Sequence, residues 1–120
     1  MYVEGFLLAV PEANKAQYLE YIQDTSQMFI DHGAARVVEN WGDDVQPGKL
    51  TSFPQAVDLR DGEVVVLFWI EYADKDVRQR VYEAITKDPR AEAFKTPPFD
   101  GARLIFGGFE TILDLRAESK

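Results

Sequence analysis

The sequence predicts an α+β fold in which two β-α-β units share one antiparallel sheet, and three observations support this. Residues 6–10 and 64–70 are continuous apolar runs, which are typical of strands buried on both faces. Each run is followed by a segment whose apolar residues recur at helical spacing. Each of these helical segments is followed by a more polar segment with strand character, so the order is β-α-β and then β-α-β.

The first unit comprises a strand, a helix and a second strand. We expect the first strand over residues 2–10, with Pro11 ending it. A helix is predicted over residues 13–31, and Gly33 stands where a glycine commonly closes a helix. The second strand is predicted over residues 34–41, where apolar and polar side chains alternate.

The second unit repeats this order after a connecting segment. Pro54 favours a short helix within residues 51–59. The strand at residues 64–70 precedes a helix with Asp74 as its N-cap, and Asp88 caps a further short helix that reaches Phe94. The last strand is predicted over residues 102–113, where Gly107 and Gly108 indicate a bulge or a close backbone approach.

Two such units form a ferredoxin-like βαββαβ sandwich, with the first and third strands in the centre and the helices on one face. The chain has 120 residues, which fits a single domain covering residues 1–120. The third strand carries large apolar side chains on both of its faces, whereas helices cover only one face of the sheet. We therefore expect a homodimer in which two sheets pack face to face.

Composition excludes several classes of function. The chain contains no cysteine and one histidine, His32, so neither a disulfide scaffold nor a transition-metal centre is expected. We expect no cofactor; the adjacent Asp43 and Asp44 fit a solvated turn better than a cation site. The net charge of −8 argues against nucleic acid and anionic membranes as partners. We expect a cytoplasmic protein, since no export signal or spanning segment is evident.

Two tryptophans and two carboxylates are the candidate site residues. Strand periodicity places Glu39 and Trp41 on one face of the second strand, and Trp69 and Glu71 on one face of the third. If these two faces coincide, the four side chains line a pocket between the packed sheets, with the tryptophans as walls and a glutamate as proton carrier. The alternative is structural, with the tryptophans as anchors of a dimer interface.

Several spaced motifs add a resemblance to this picture. They are Phe29-x-x-x-Gly33-Ala34-x-Arg36-x-Val38-Glu39-x-Trp41, Trp69-Ile70-Glu71-Tyr72, Asp88-Pro89-Arg90, Pro98-Phe99-Asp100-Gly101 and Gly107-Gly108-Phe109-Glu110. Together they resemble the YbaA-like family of small bacterial proteins of unknown function, over nearly the whole chain. The resemblance implies a dimeric α/β barrel and supplies no reaction.

Two functional hypotheses therefore remain open. The first is a dimer that binds an apolar small molecule, and such a dimer can be a cofactor-independent enzyme; this follows by analogy with other dimeric α/β barrels. The second is a non-catalytic interaction or regulatory dimer, which predicts no enclosed cavity between the subunits large enough for a ligand. An occupied pocket beside Trp69 would support the first hypothesis, and a solid core would support the second.

Overall fold

Four antiparallel strands form one sheet in the computed structural model, which describes residues 1–118. The strands are β1 (Tyr2–Pro11), β2 (Arg36–Trp41), β3 (Glu63–Tyr72) and β4 (Ile105–Glu110). Their order across the sheet is β2-β3-β1-β4, and all three neighbouring pairs are antiparallel. The two most apolar strands are therefore central and the two more polar strands are edges, as predicted.

Two of the helical segments begin at the caps that the sequence indicates, Asp74 and Asp88. The helices are α1 (Lys15–Asp31), α2 (Phe53–Ala56) and α3 (Lys75–Ile85), with short 3-10 helices at Glu12–Asn14, Pro89–Lys95 and Gly101–Arg103. The Asp74 carboxylate accepts a hydrogen bond from the Val77 amide at 2.8 Å, and Asp88 accepts one from the Arg90 amide at 2.9 Å. These side chains satisfy amide groups that the first helical turn leaves unpaired.

All four strands differ from their predicted bounds by one to three residues at one end or both. Pro11 is the last residue of β1 and pairs with Glu63 at the end of the ladder, where a missing amide proton is tolerated. The last strand is shorter than predicted, because Asp100 caps a 3-10 helix that precedes it. No bulge interrupts β4; the Tyr2 side chain instead lies against Gly108, which leaves no room there for a Cβ atom. The close-approach interpretation of this glycine pair is confirmed.

Both long helices pack on the same face of the sheet. Alternate residues of β1 and β3, Leu8 and Val66 among them, face α1 and pack around the buried Tyr18. A second cluster joins α1, α3 and the other end of the sheet through Met28, Phe29, Ile70, Tyr72, Val81 and Ile85. Burial of such side chains contributes about 1.5–3 kcal/mol each, which holds the helices against this face.

The opposite face of the sheet is only partly covered. At one end, Val57 from the segment after α2 packs on Ala9 and Val65. Beyond it, Leu67, Ile105 and Phe109 remain 39%, 44% and 62% exposed. We refer to the side of the sheet that carries these residues as the helix-free face.

No helix within residues 1–118 is long and apolar enough to cross a membrane.

Candidate functional site

A cavity lined mainly by apolar side chains lies between the sheet and the helices of a single chain. Its volume is about 340 Å³, within the range of small-molecule sites. Its floor is formed by β1, β2 and β3, and its walls come from α1, α3 and the segments before β4. Eight aromatic residues line it: Phe6, Tyr18, Tyr21, Phe29, Phe68, Tyr82, Phe94 and Phe99. The cavity is therefore an aromatic chamber formed within a single chain.

Glu39 is the carboxylate of this cavity. It lies on β2 opposite Phe68 of β3, so strand alternation directs it to the helix-covered face together with Val37 and Trp41. Its Oε1 accepts a hydrogen bond from the Tyr18 hydroxyl at 2.6 Å. Its Oε2 has no hydrogen-bond partner among residues 1–118. One carboxylate oxygen is thus held by Tyr18, and the other accepts no hydrogen bond within the described residues.

Partial burial among aromatic rings raises the pKa of Glu39 from 4.5 to about 7, although the hydrogen bond from Tyr18 opposes the shift. Burial and the neighbouring Glu39 carboxylate raise the pKa of Tyr21 to about 12 and raise that of Tyr18 as well. The tyrosines therefore stay protonated near neutral pH, whereas Glu39 exchanges its proton there. This is the protonation behaviour of a general acid or base.

The four residues singled out from the sequence do not share one face. Trp69 pairs with Val38 in the ladder, whereas Glu39 pairs with Phe68, so Trp69 and Glu71 lie on the helix-free face. The condition for a joint pocket between two packed sheets is therefore not met. The cavity that contains Glu39 lies on the other face of the sheet from the one we expected.

Trp69 and Glu71 form a surface group with Arg36. The Trp69 indole N–H donates to Glu71 Oε2 at 2.9 Å, and Arg36 Nη1 lies 3.5 Å from the same oxygen. Arg36 and Glu71 are direct partners across the β2–β3 ladder. Glu71 is therefore already paired, and this group fits a packing role better than proton transfer.

Trp41 lies on the helix-covered face of the sheet, together with Glu39, but outside the cavity. Its ring centroid is 6.3 Å from that of Tyr18, and the Lys15 ammonium lies 5.0 Å from its ring. Trp41 does not line the cavity; it packs against the outer side of Tyr18. Its position supports the tyrosine that hydrogen-bonds Glu39.

Glu4 is a buried carboxylate that the sequence analysis missed. It is fully buried on β1; Arg78 Nη2 lies 2.8 Å from its Oε2, and the Tyr82 hydroxyl donates to its Oε1 at 2.5 Å. Tyr82 also lines the aromatic cavity. Strand alternation could have revealed its burial, because Glu4 lies on the same, helix-covered face of β1 as Phe6 and Leu8. The ion pair with Arg78 indicates a structural role that ties α3 to β1.

The remaining polar candidates are engaged elsewhere. The His32 ring lies 2.7 Å from Asp88, which Arg90 also contacts at 2.7 Å, so this group links the end of α1 to the start of the 3-10 helix at Pro89–Lys95. Asp44 accepts a hydrogen bond from Gln46 in its loop. Within residues 1–118, no three side chains of the His, Cys, Asp or Glu type come close enough to hold a metal ion.

Comparison with known proteins places the chain in a family. The model of a family described as "Protein of unknown function (DUF1428)" matches residues 1–101. The uncharacterized protein YbaA of Escherichia coli K12 is 45% identical over 114 residues, which covers 94% of this chain and 97% of that protein. The YbaA protein of Shigella flexneri matches to the same extent.

The fold has a counterpart among solved structures. An uncharacterized NIPSNAP domain protein from Burkholderia xenovorans superposes with a TM-score of 0.58 over 98% of this chain and all of that chain, at 17% identity. At this identity the likeness extends to the fold alone, and it agrees with the ferredoxin-like arrangement of strands and helices. The chain belongs to the DUF1428 family, as the match of the family model shows, and YbaA is a relative of it at 45% identity.

Proposed function

We propose that this protein binds a small, largely apolar molecule in the cavity between its sheet and its helices. The observation that carries the proposal is the combination of an aromatic chamber of about 340 Å³ with a single carboxylate, Glu39. This volume lies at the lower end of the range of small-molecule sites, which fits a molecule of one or two fused rings. Apolar walls with few polar groups are the usual form of such a site.

Glu39 gives the site its chemistry. A carboxyl whose pKa is raised to about 7 takes up or releases a proton near neutral pH. Tyr18 holds its Oε1, so the second oxygen is the group that meets the ligand. If the protein is an enzyme, we propose cofactor-independent proton transfer with Glu39 as the acid or base, as in the first hypothesis from the sequence.

A cavity-filling variant tests the binding proposal. Ser26 lines the cavity from α1, so Ser26→Trp places an indole in the space proposed for the ligand. Gln27→Trp is the matched control, because Gln27 is exposed on the same helix. We expect 2-naphthalenemethanol to bind wild type and Gln27→Trp with similar affinity, measured by calorimetry, and to lose binding to Ser26→Trp. Equal affinity for all three proteins contradicts the proposed site.

A second proposal concerns the helix-free face, which we propose pairs with that of a second copy. Its support is the exposure of Leu67, Ile105 and Phe109 in a single chain. Contiguous exposed apolar residues of this kind mark interaction sites. In such a dimer the Arg36–Glu71 group lies on the packed face, which accords with the structural interpretation of Trp69.

The pairing is tested by Leu67→Asp, with Leu19→Asp as its matched control. Leu67 is 39% exposed on the helix-free face and Leu19 is 47% exposed on α1. Analytical ultracentrifugation at micromolar concentration should show a dimer for wild type and Leu19→Asp and a monomer for Leu67→Asp. A wild-type monomer, or a Leu67→Asp dimer, contradicts the pairing and leaves the cavity proposal intact, since the cavity lies within one chain.

A further inference from the structure

The charges around the cavity restrict the class of molecule that it accepts. Among its lining residues, Glu39 is the one side chain that carries a formal charge near neutral pH, and no Lys, Arg or His lines it. Within residues 1–118, no cation lies within ion-pair distance of Glu39. An anionic ligand would therefore bury a second negative charge beside the carboxylate without a counter-charge, which is strongly unfavourable.

Two cationic side chains near the cavity already contact other groups. Arg78, whose neighbour Tyr82 lines the cavity, pairs with Glu4 at 2.8 Å. Lys15 lies over the Trp41 ring, outside the cavity. The ionisable side chains that line the cavity with Glu39 are Tyr18 and Tyr21 from α1 and Tyr82 from α3. Burial raises the pKa of each of these tyrosines, so they stay neutral.

Aromatic rings line the same cavity as this carboxylate. Tyr21 meets Phe99 edge to face at 5.7 Å between ring centroids, and Phe94 at 6.4 Å; Tyr18 meets Phe99 at 5.9 Å. An aromatic face carries negative electrostatic potential and attracts organic cations. The cavity thus combines a carboxylate, a lining of aromatic rings and no positive side chain, which together favour a positive ligand over a neutral one.

Building on the proposed binding site, we propose that its ligand is a lipophilic amine, bound as the ammonium ion. The ammonium donates to the free oxygen of Glu39, and the apolar body contacts the rings of Tyr21, Phe94 and Phe99. The net charge of −8 acts in the same direction, because a negative protein surface concentrates cations. When Glu39 starts protonated, its proton passes to the solvent as the ammonium–carboxylate pair forms, so charge balances.

Three naphthalene compounds of nearly equal size test this class. They are 2-naphthylmethylamine, 2-naphthalenemethanol and 2-naphthoate, whose charges near neutral pH are +1, 0 and −1. By calorimetry at pH 7.5 we expect the amine to bind about tenfold or more tighter than the alcohol, and the carboxylate to bind weakest. In Glu39→Gln the amine should lose this advantage over the alcohol, because the amide is neutral and, with its oxygen accepting from Tyr18, presents an NH₂ donor that cannot pair with an ammonium.

The pH dependence supplies a second readout. The advantage of the amine over the alcohol should shrink below pH 7, where Glu39 is protonated in the free protein, and Glu39→Gln should show no such change. Equal affinity for amine and alcohol, or tighter binding of the carboxylate, overturns the amine class and leaves the proposed binding site standing. Failure of all three compounds to bind overturns both.

Discussion

Glu39→Gln should gain stability relative to wild type as the pH rises. Partial burial raises the pKa of this carboxyl from 4.5 to about 7, so the native state holds the proton more tightly than the unfolded chain. Between these two values the unfolded state binds fewer protons, and the free energy of unfolding therefore falls as pH rises. This decrease in the free energy of unfolding is complete above about pH 7 and has not begun below pH 4.5.

The size of the effect follows from the shift. One pKa unit corresponds to about 1.4 kcal/mol, so a rise from 4.5 to about 7 gives an upper limit of about 3 kcal/mol, which residual solvent contact reduces. Glu39→Gln removes the ionisable group but keeps the shape and the acceptor for the Tyr18 hydroxyl. We therefore expect the variant to gain about 1–3 kcal/mol relative to wild type on going from pH 4.5 to pH 8.5.

Urea unfolding of both proteins at several pH values between 4.5 and 8.5 measures this gain. Glu20→Gln provides the control, because it removes the same charge from an exposed position on α1 and so reports the effect of net charge alone. If the free energies of unfolding of wild type and Glu39→Gln change by the same amount with pH, the raised pKa of Glu39 is refuted.

Two further predictions concern ion pairs outside the cavity. Arg78→Ala leaves the fully buried Glu4 without its counter-charge. In urea unfolding, this variant should therefore lower the free energy of unfolding by about 3–5 kcal/mol. The control Arg80→Ala changes an exposed residue on the same helix and should alter the free energy of unfolding by less than about 0.5 kcal/mol. The Arg103 guanidinium holds the pKa of Glu63 at about 2, so this pair stabilises fully above pH 4.5 and loses its effect as pH falls through 2. Glu63→Gln should therefore be less stable than wild type at pH 7, with a difference that shrinks on acid titration followed by circular dichroism; a difference independent of pH contradicts this.

Most of the fold could be predicted from the sequence because its local signals agree with one another. The apolar runs identified β1 and β3 as the central strands, and Asp74 and Asp88 identified two helix starts. The end of the last strand was not predictable in this way. Apolar residues continue to Leu115, but pairing with β1 stops at Glu110, and only the register of the sheet sets that limit.

The candidate site was predictable only in part. Strand alternation correctly grouped Glu39 with Trp41 and Trp69 with Glu71, but alternation within one strand does not fix the face relative to another strand. The pairing of Val38 with Trp69 decides this, and it depends on the register between β2 and β3. The aromatic walls come from distant segments, such as Phe94 and Phe99, that no local pattern connects to Glu39.

A crystal structure with the tightest-binding compound of the naphthalene series tests the central claim most directly. We expect the ring system between the sheet and α1, with its polar group within hydrogen-bond distance of the free oxygen of Glu39. A saturated crystal in which this cavity is empty, or in which the compound occupies the helix-free face instead, would contradict the account.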